Sequence, residues 1–128
     1  MTVQDWVERY ERAWNQADAD LAASLFTEDG IYCSHLLQPP AVGQAGVADY
    51  WRTVTSTQSE VDARLGEPIV SGSKVAVEFW TRMKNSGQDV TVAGCMLLRM
   101  AGDGRCEELR EYWFFEPGDH APPDIWGR

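Results

Sequence analysis

Basic residues are scarce in this sequence: 11 Lys and Arg stand against 20 Asp and Glu, a formal charge of −9. Nucleic-acid binding needs clustered Lys and Arg to neutralise phosphates, so this balance argues against it. The same balance disfavours anionic membrane surfaces, yet it does not require a cationic ligand. No long apolar run opens the chain, and neither a signal peptide nor a transmembrane span is predicted. Cysteine is limited to Cys33, Cys95 and Cys106, odd in number and widely spaced. That pattern implies no disulfide framework and fits a reducing cytoplasm. Histidine is rarer still, at His35 and His120, and no C-x-x-C pair is present, so no metal site is expected. There is no Gly-rich phosphate loop, no G-x-S-x-G elbow, no internal repeat and no linker. An organic cofactor is likewise not expected.

What is present is an ordinary globular composition, 44% apolar and 24% charged over 128 residues, which suits one domain spanning 1–128 with one core. Six Trp is a high count for this length, and aromatics in such numbers line either a core or a ligand cavity. Val3, Trp6, Val7, Tyr10, Ala13 and Trp14 recur at helical spacing behind Thr2, a good N-cap. Asp18 can cap a second short helix that runs through Phe26 and ends at Asp29-Gly30. Ile31 to Leu36 reads as a short strand, followed by a Pro-containing loop from Gln38 to Val42. A third helix is predicted over about Gly46 to Val54, with Val47, Tyr50, Trp51 and Val54 on one stripe. Extended stretches follow at Glu60–Leu65, Pro68–Ser71, Lys74–Met83, Asp89–Met100 and Arg105–Phe115, separated by Ser71-Gly72, Asn85-Ser86-Gly87 and Gly102-Asp103-Gly104. The Pro- and Gly-containing tail after Glu116 is expected to wrap the surface. Helices first and a strand meander afterwards predict an α+β fold, with helices on one face of an antiparallel sheet.

The two hairpins allow a register to be written. Two-residue turns at Ser86-Gly87 and Asp103-Gly104 set Phe79 opposite Gly94, Val77 opposite Met96, Gly94 opposite Trp113, Met96 opposite Glu111 and Leu98 opposite Leu109. One face then carries Val75, Val77, Phe79, Val92, Gly94, Met96, Leu98, Leu109, Trp113 and Phe115, with Glu111 as the one carboxylate among them. A carboxylate there is costly unless it is paired, hydrogen-bonded or protonated. It is either an acid/base in a pocket, with a raised pKa, or a structural Glu bonded to a helix residue such as Tyr10. The opposite face mixes Glu78, Arg82, Arg99 and Arg110 with Trp80 and Tyr112, which reads as a solvated face or, in better accord with the exposed Trp and Tyr beside Arg, as a homodimer interface on the outer face of the sheet.

Several of these segments together resemble a known family. Trp14, Asp18 leading into Leu25-Phe26-Thr27-Glu28-Asp29-Gly30, Tyr32, Gly43 through Tyr50-Trp51, and Asp103-Gly104-Arg105 through Arg110-Glu111-Tyr112-Trp113 are similar to the nuclear transport factor 2-like superfamily, and within it to the SnoaL-like group. The resemblance implies a cone: a curved antiparallel sheet wrapped on three N-terminal helices, with an internal pocket at the open end. It leaves function open, because this fold hosts isomerases, cyclases, dehydratases, epoxide hydrolases and non-catalytic binders. Compared with ketosteroid isomerase, a member of the superfamily, Tyr10 matches the catalytic tyrosine and Trp113 the pocket tryptophan. Ser34 and Met96 stand where that enzyme has its two aspartates, so steroid isomerisation of that type is not expected.

The expected site therefore has Glu111 as acid or base, Tyr10 as donor to an oxyanion, and His35 as either a surface loop residue or a further base at the pocket rim working with Glu111. Trp14, Tyr32, Ser34, Trp51, Phe79, Met96 and Trp113 are the candidate ligand-binding residues. A small hydrophobic, cyclic ligand fits these walls, handled either by cofactor-free isomerisation, cyclisation or dehydration, or by a non-catalytic binding or dimerisation module.

Overall fold

In the computed structural model, which describes residues Met1–Arg128, the chain begins with a reciprocal cap. Thr2 Oγ1 accepts from Asp5 N at 3.1 Å, and Asp5 Oδ2 accepts from Thr2 N at 2.9 Å. This capping box starts α1 (Val3–Gln16), whose buried stripe is Trp6, Val7, Tyr10 and Ala13. Asp18 caps α2 (Ala19–Ser24) through Leu21 N at 3.0 Å. α2 stops two residues short of the expected Phe26, and Asp29-Gly30 does not end it. Both residues lie inside β1 (Phe26–Cys33), which also leaves Ser34–Leu36 outside the strand. The reason is tertiary: Phe26 is fully buried and pairs with Cys106, and the ladder shifts register before Ile31. Gly30 permits that irregularity, since a Cβ there would lie 3.0 Å from Phe26 Cβ and 3.1 Å from Cys106 O.

After β2 (Ala41–Val42), α3 runs Gly43–Thr55, three residues earlier than its sequence suggests. Its cap residue, Val42, makes no side-chain cap bond, so no start signal was available to read. The remaining strands are β3 (Gln58–Leu65), β4 (Ile69–Ser71), β5 (Lys74–Asn85), β6 (Gln88–Met100) and β7 (Cys106–Pro117). They form one seven-stranded sheet in the order β2-β1-β7-β6-β5-β3, with β4 on β5. The sheet is mixed rather than purely antiparallel: β1 and β7 run parallel, with Tyr32 beside Leu109.

The expected register holds along β5, β6 and β7, including Met96 opposite Glu111 and Gly94 opposite Trp113. At Ser86-Gly87 both residues have positive φ, +51° and +82°, as a type I′ turn demands. The other hairpin reaches the same register differently. Gly104 N bonds Ala101 O at 3.0 Å, so the turn centres on Gly102-Asp103, one residue early. A bulge between Met100↔Cys106 and Arg99↔Glu108 then restores the alignment.

The three helices cover the inner face, where Val75, Val77, Phe79, Met96, Leu98 and Leu109 join a 20-residue core with Trp6, Tyr10, Phe26 and Trp51. The tail crosses the outer face. Arg82 pairs with Asp119 at 2.6 Å, Trp80 Nε1 donates to His120 O at 2.8 Å, and Trp80 packs edge-on against Trp126. Trp80, expected on an open dimer surface, is thus covered in part by the chain itself. No helix is long and apolar enough to cross a membrane.

Candidate functional site

Tyr10 and Trp14 are four residues apart on α1, so they share a face. Tyr10 stacks on Trp6 at 5.0 Å and 15°, and its other contacts are edge-on with Trp14 and Trp51. These contacts fix its ring, and each such pair is worth about 0.5–1.5 kcal/mol beyond burial. Tyr32 arrives from β1. The parallel ladder sets it beside Leu109, one side-chain repeat from Glu111 on the same face of β7.

Three side chains meet there. Glu111 Oε1 accepts from Tyr32 Oη at 2.6 Å and from Tyr10 Oη at 3.2 Å, while the two hydroxyls lie 3.4 Å apart. Both phenols are buried, at 1% and 4% exposure. Both donate to one oxygen, which leaves Oε2 without a bond from the chain. Burial pushes the Glu111 carboxyl up to about 7, and the two hydroxyls, which favour its ionised form, offset only part of that rise. Burial first, then the Glu111 charge, holds Tyr10 and Tyr32 well above the ordinary tyrosine range, so both stay protonated donors. Tyr50 is also raised, by burial first, with Ser34 pulling the other way.

This triad lines a cavity of about 180 Å³. From the expected ligand-binding set, Trp14, Tyr32, Trp51, Phe79 and Trp113 line it together with Tyr10 and Glu111. Three expected residues do not. Met96 is fully buried in the core between Val77 and Glu111, because its strand neighbours close over it. Ser34 lies past the end of β1 and contributes its carbonyl, which accepts from Trp113 Nε1 at 2.6 Å. His35 borders a second, more open groove with Leu36, Leu37, Trp113 and Glu111, and its Nδ1 accepts from Leu37 N at 3.2 Å.

The cavity also takes residues that the sequence reading did not select. Tyr50 and Val54 continue the predicted stripe of α3, and Met83, Val92 and Phe115 continue the strand alternation, so their signals were present. Gln58 and Asn85 carried no signal; they lie together because β3 pairs with β5. No group of three or more His, Cys, Asp or Glu converges as a metal site, and all three cysteines are free.

Comparison with known proteins bears on the family and the fold. The profile of the SnoaL-like domain matches residues 7–109. The chain belongs to the SnoaL-like domain family. It thereby falls within the nuclear transport factor 2-like superfamily, whose cone fold its curved open sheet and three helices reproduce. This SnoaL-like domain is similar in structure to the epoxide hydrolase/cyclase-like enzyme SalBIII, described in pyran ring formation in the polyether salinomycin, with a TM-score of 0.76 and 21% identity over 88% of this chain and 90% of that one. It is also similar to a ketosteroid isomerase-fold protein from Catenulispora acidiphila solved with trimethylamine, with a TM-score of 0.77 and 19% identity over 88% and 86%. A Mycobacterium tuberculosis protein matches with a TM-score of 0.73 and 15% identity over 89% and 96%. These likenesses establish the fold. None of the curated proteins matches the chain in sequence.

Proposed function

We propose that this SnoaL-like domain is a cofactor-free acid–base enzyme that moves a proton on a small, hydrophobic, cyclic compound, in an isomerisation, cyclisation or dehydration. The observation that carries the reading is the Glu111 carboxyl, half-buried in an aromatic cavity with one oxygen held by Tyr10 and Tyr32 and the other unengaged. A carboxyl balanced near neutrality serves both as base and as acid. In the isomerisation form, Oε2 takes a proton from a carbon next to a substrate carbonyl. The C–H electron pair forms a dienolate with a neighbouring C=C and places charge on the carbonyl oxygen; as that oxygen re-forms its C=O, the far alkene carbon takes the proton back from Glu111. Once Glu111 is neutral it accepts more weakly, and the Tyr10 hydroxyl, on the longer of the two bonds, turns to the oxyanion. His35 lies in the second groove beside Glu111, where it fits exchange of a proton with solvent better than contact with substrate.

The test is α-proton exchange of 2-tetralone in D₂O, followed by NMR. The wild type should exceed the buffer rate, with a rise through about pH 7, and Glu111→Gln should lose about 10²-fold or more. Exchange no faster than buffer, or equal in the variant, would leave a non-catalytic binder on the same cavity.

We also propose a homodimer through the part of the outer face that the tail leaves open. Tyr112 and Phe114 are exposed there, Phe114 to 83%. They border a groove with Trp80, Cys95 and Trp126, an apolar surface of the kind interfaces use. Three free thiols fit a cytoplasmic setting.

A further inference from the structure

The cavity is polar at both ends. One end is Glu111 with its two tyrosines. The other is an amide pair: Gln58, the first residue of β3, and Asn85, the last residue of β5, are direct partners across the ladder, and both line the cavity. Gln58 Oε1 accepts from Trp14 Nε1 at 3.1 Å, which leaves its NH₂ group without a protein partner. The Asn85 carboxamide has no partner within the chain. The register separates the two ends. Glu111 aligns with Val77 through Met96, Phe115 aligns with Thr81 through Val92, and Asn85 lies four residues beyond Thr81. Trp14 bridges them across the cavity: its ring lies 6.5 Å from the Tyr10 ring and its Nε1 is bonded to Gln58, a span that suits a compound of two linked rings. Between them the walls are Trp14, Phe79 and Phe115.

We propose that this cavity takes an elongated, ring-containing compound with an oxygen function at each end, the inner one on Tyr10, Tyr32 and Glu111, the outer one on Gln58 and Asn85. The proposal rests on the cavity in the reading above, not on its proton chemistry. An apolar end placed against the amide pair strips water from two carboxamides and returns no hydrogen bond, which disfavours compounds with one polar end. Gln58 and Asn85 thus act as residues that select substrate length and the second polar group.

Calorimetric titration with 4-hydroxybiphenyl and 4,4′-dihydroxybiphenyl tests this directly. The wild type should bind the diol about 3–10-fold more tightly, the worth of one or two net hydrogen bonds. Asn85→Leu should abolish that preference and still bind 4-hydroxybiphenyl, and Asn85→Ala serves the same purpose if the leucine variant does not fold. Equal affinities in the wild type, or a preference that survives in both variants, would overturn the inference and leave the acid–base reading untouched. Failure of both compounds to bind would also overturn it, and the 2-tetralone exchange would then judge the acid–base reading on its own.

Discussion

A carboxyl near pH 7 inside a protein has a thermodynamic consequence at the scale of the single residue. Glu111 titrates at about 7 when folded, against an ordinary value of 4.5. Between those values the native state binds more protons than the unfolded chain, so stability falls as pH rises through this window and is level on either side. The full effect is on the order of 3 kcal/mol. Glu111→Gln carries no charge and escapes this loss. Urea unfolding at pH 4.5 and at pH 8 should therefore show the variant gaining on the wild type as pH rises. A variant clearly weaker at pH 8 would mean that ionised Glu111 is a structural anchor. The tyrosines act in the opposite sense. Tyr32→Phe removes the 2.6 Å donor to the ionised form and should raise the Glu111 pKa above 7, and by more than Tyr10→Phe, which removes the 3.2 Å donor. Carboxyl carbon shifts followed by NMR across the titration would rank the two variants.

At the scale of elements, β6 and β7 approach closely where Gly94 faces Trp113, a residue of the cavity wall. A Cβ at Gly94 would fall on the Tyr112 carbonyl oxygen and 2.7 Å from Trp113 Cα, both backbone atoms that cannot yield. Gly94→Ala should cost about 3 kcal/mol, the upper end of overpacking penalties, and should displace Trp113 from the cavity wall. Denaturant unfolding reads the first effect, and loss of ligand-induced tryptophan quenching reads the second. A neutral substitution would show that the strands can part there. The other positioning element is β1. Its parallel contact with β7 delivers Tyr32 to Glu111, and an antiparallel partner strand at that edge would run the opposite way past Leu109.

The whole molecule divides its outer face between its own tail and an open apolar strip. Thr91 Oγ1 accepts from His120 N at 3.0 Å and donates to Gly118 O at 2.9 Å, so the tail is bonded as well as packed. Trp80→Ala should loosen residues 118–128, seen as faster proteolysis there, and change self-association less than Phe114→Glu does. Phe114→Glu places a charge in the centre of the proposed interface and should convert dimer to monomer without lowering the melting temperature of the monomer. Light scattering at micromolar concentration that finds only monomer in the wild type would remove the dimer.

Local pattern by itself determined the helices at Val3–Gln16 and after Asp18, the meander of strands, and the side of the sheet on which Glu111 sits. Capping chemistry, the 3.6 and 2.0 side-chain periods and turn residues are short-range, and a sequence displays them directly. The misplaced turn at Gly102-Asp103 did no harm, because a bulge recovered the alternation that burial enforces along β7. Only tertiary structure decided that Asp29-Gly30 would sit inside a strand, that β1 would run parallel to β7, that Met96 would be sealed in the core, and that Gln58 and Asn85 would meet. Each of these depends on which distant segments pack together, and pairings across the chain are set by the burial of whole faces rather than by any residue's own preference.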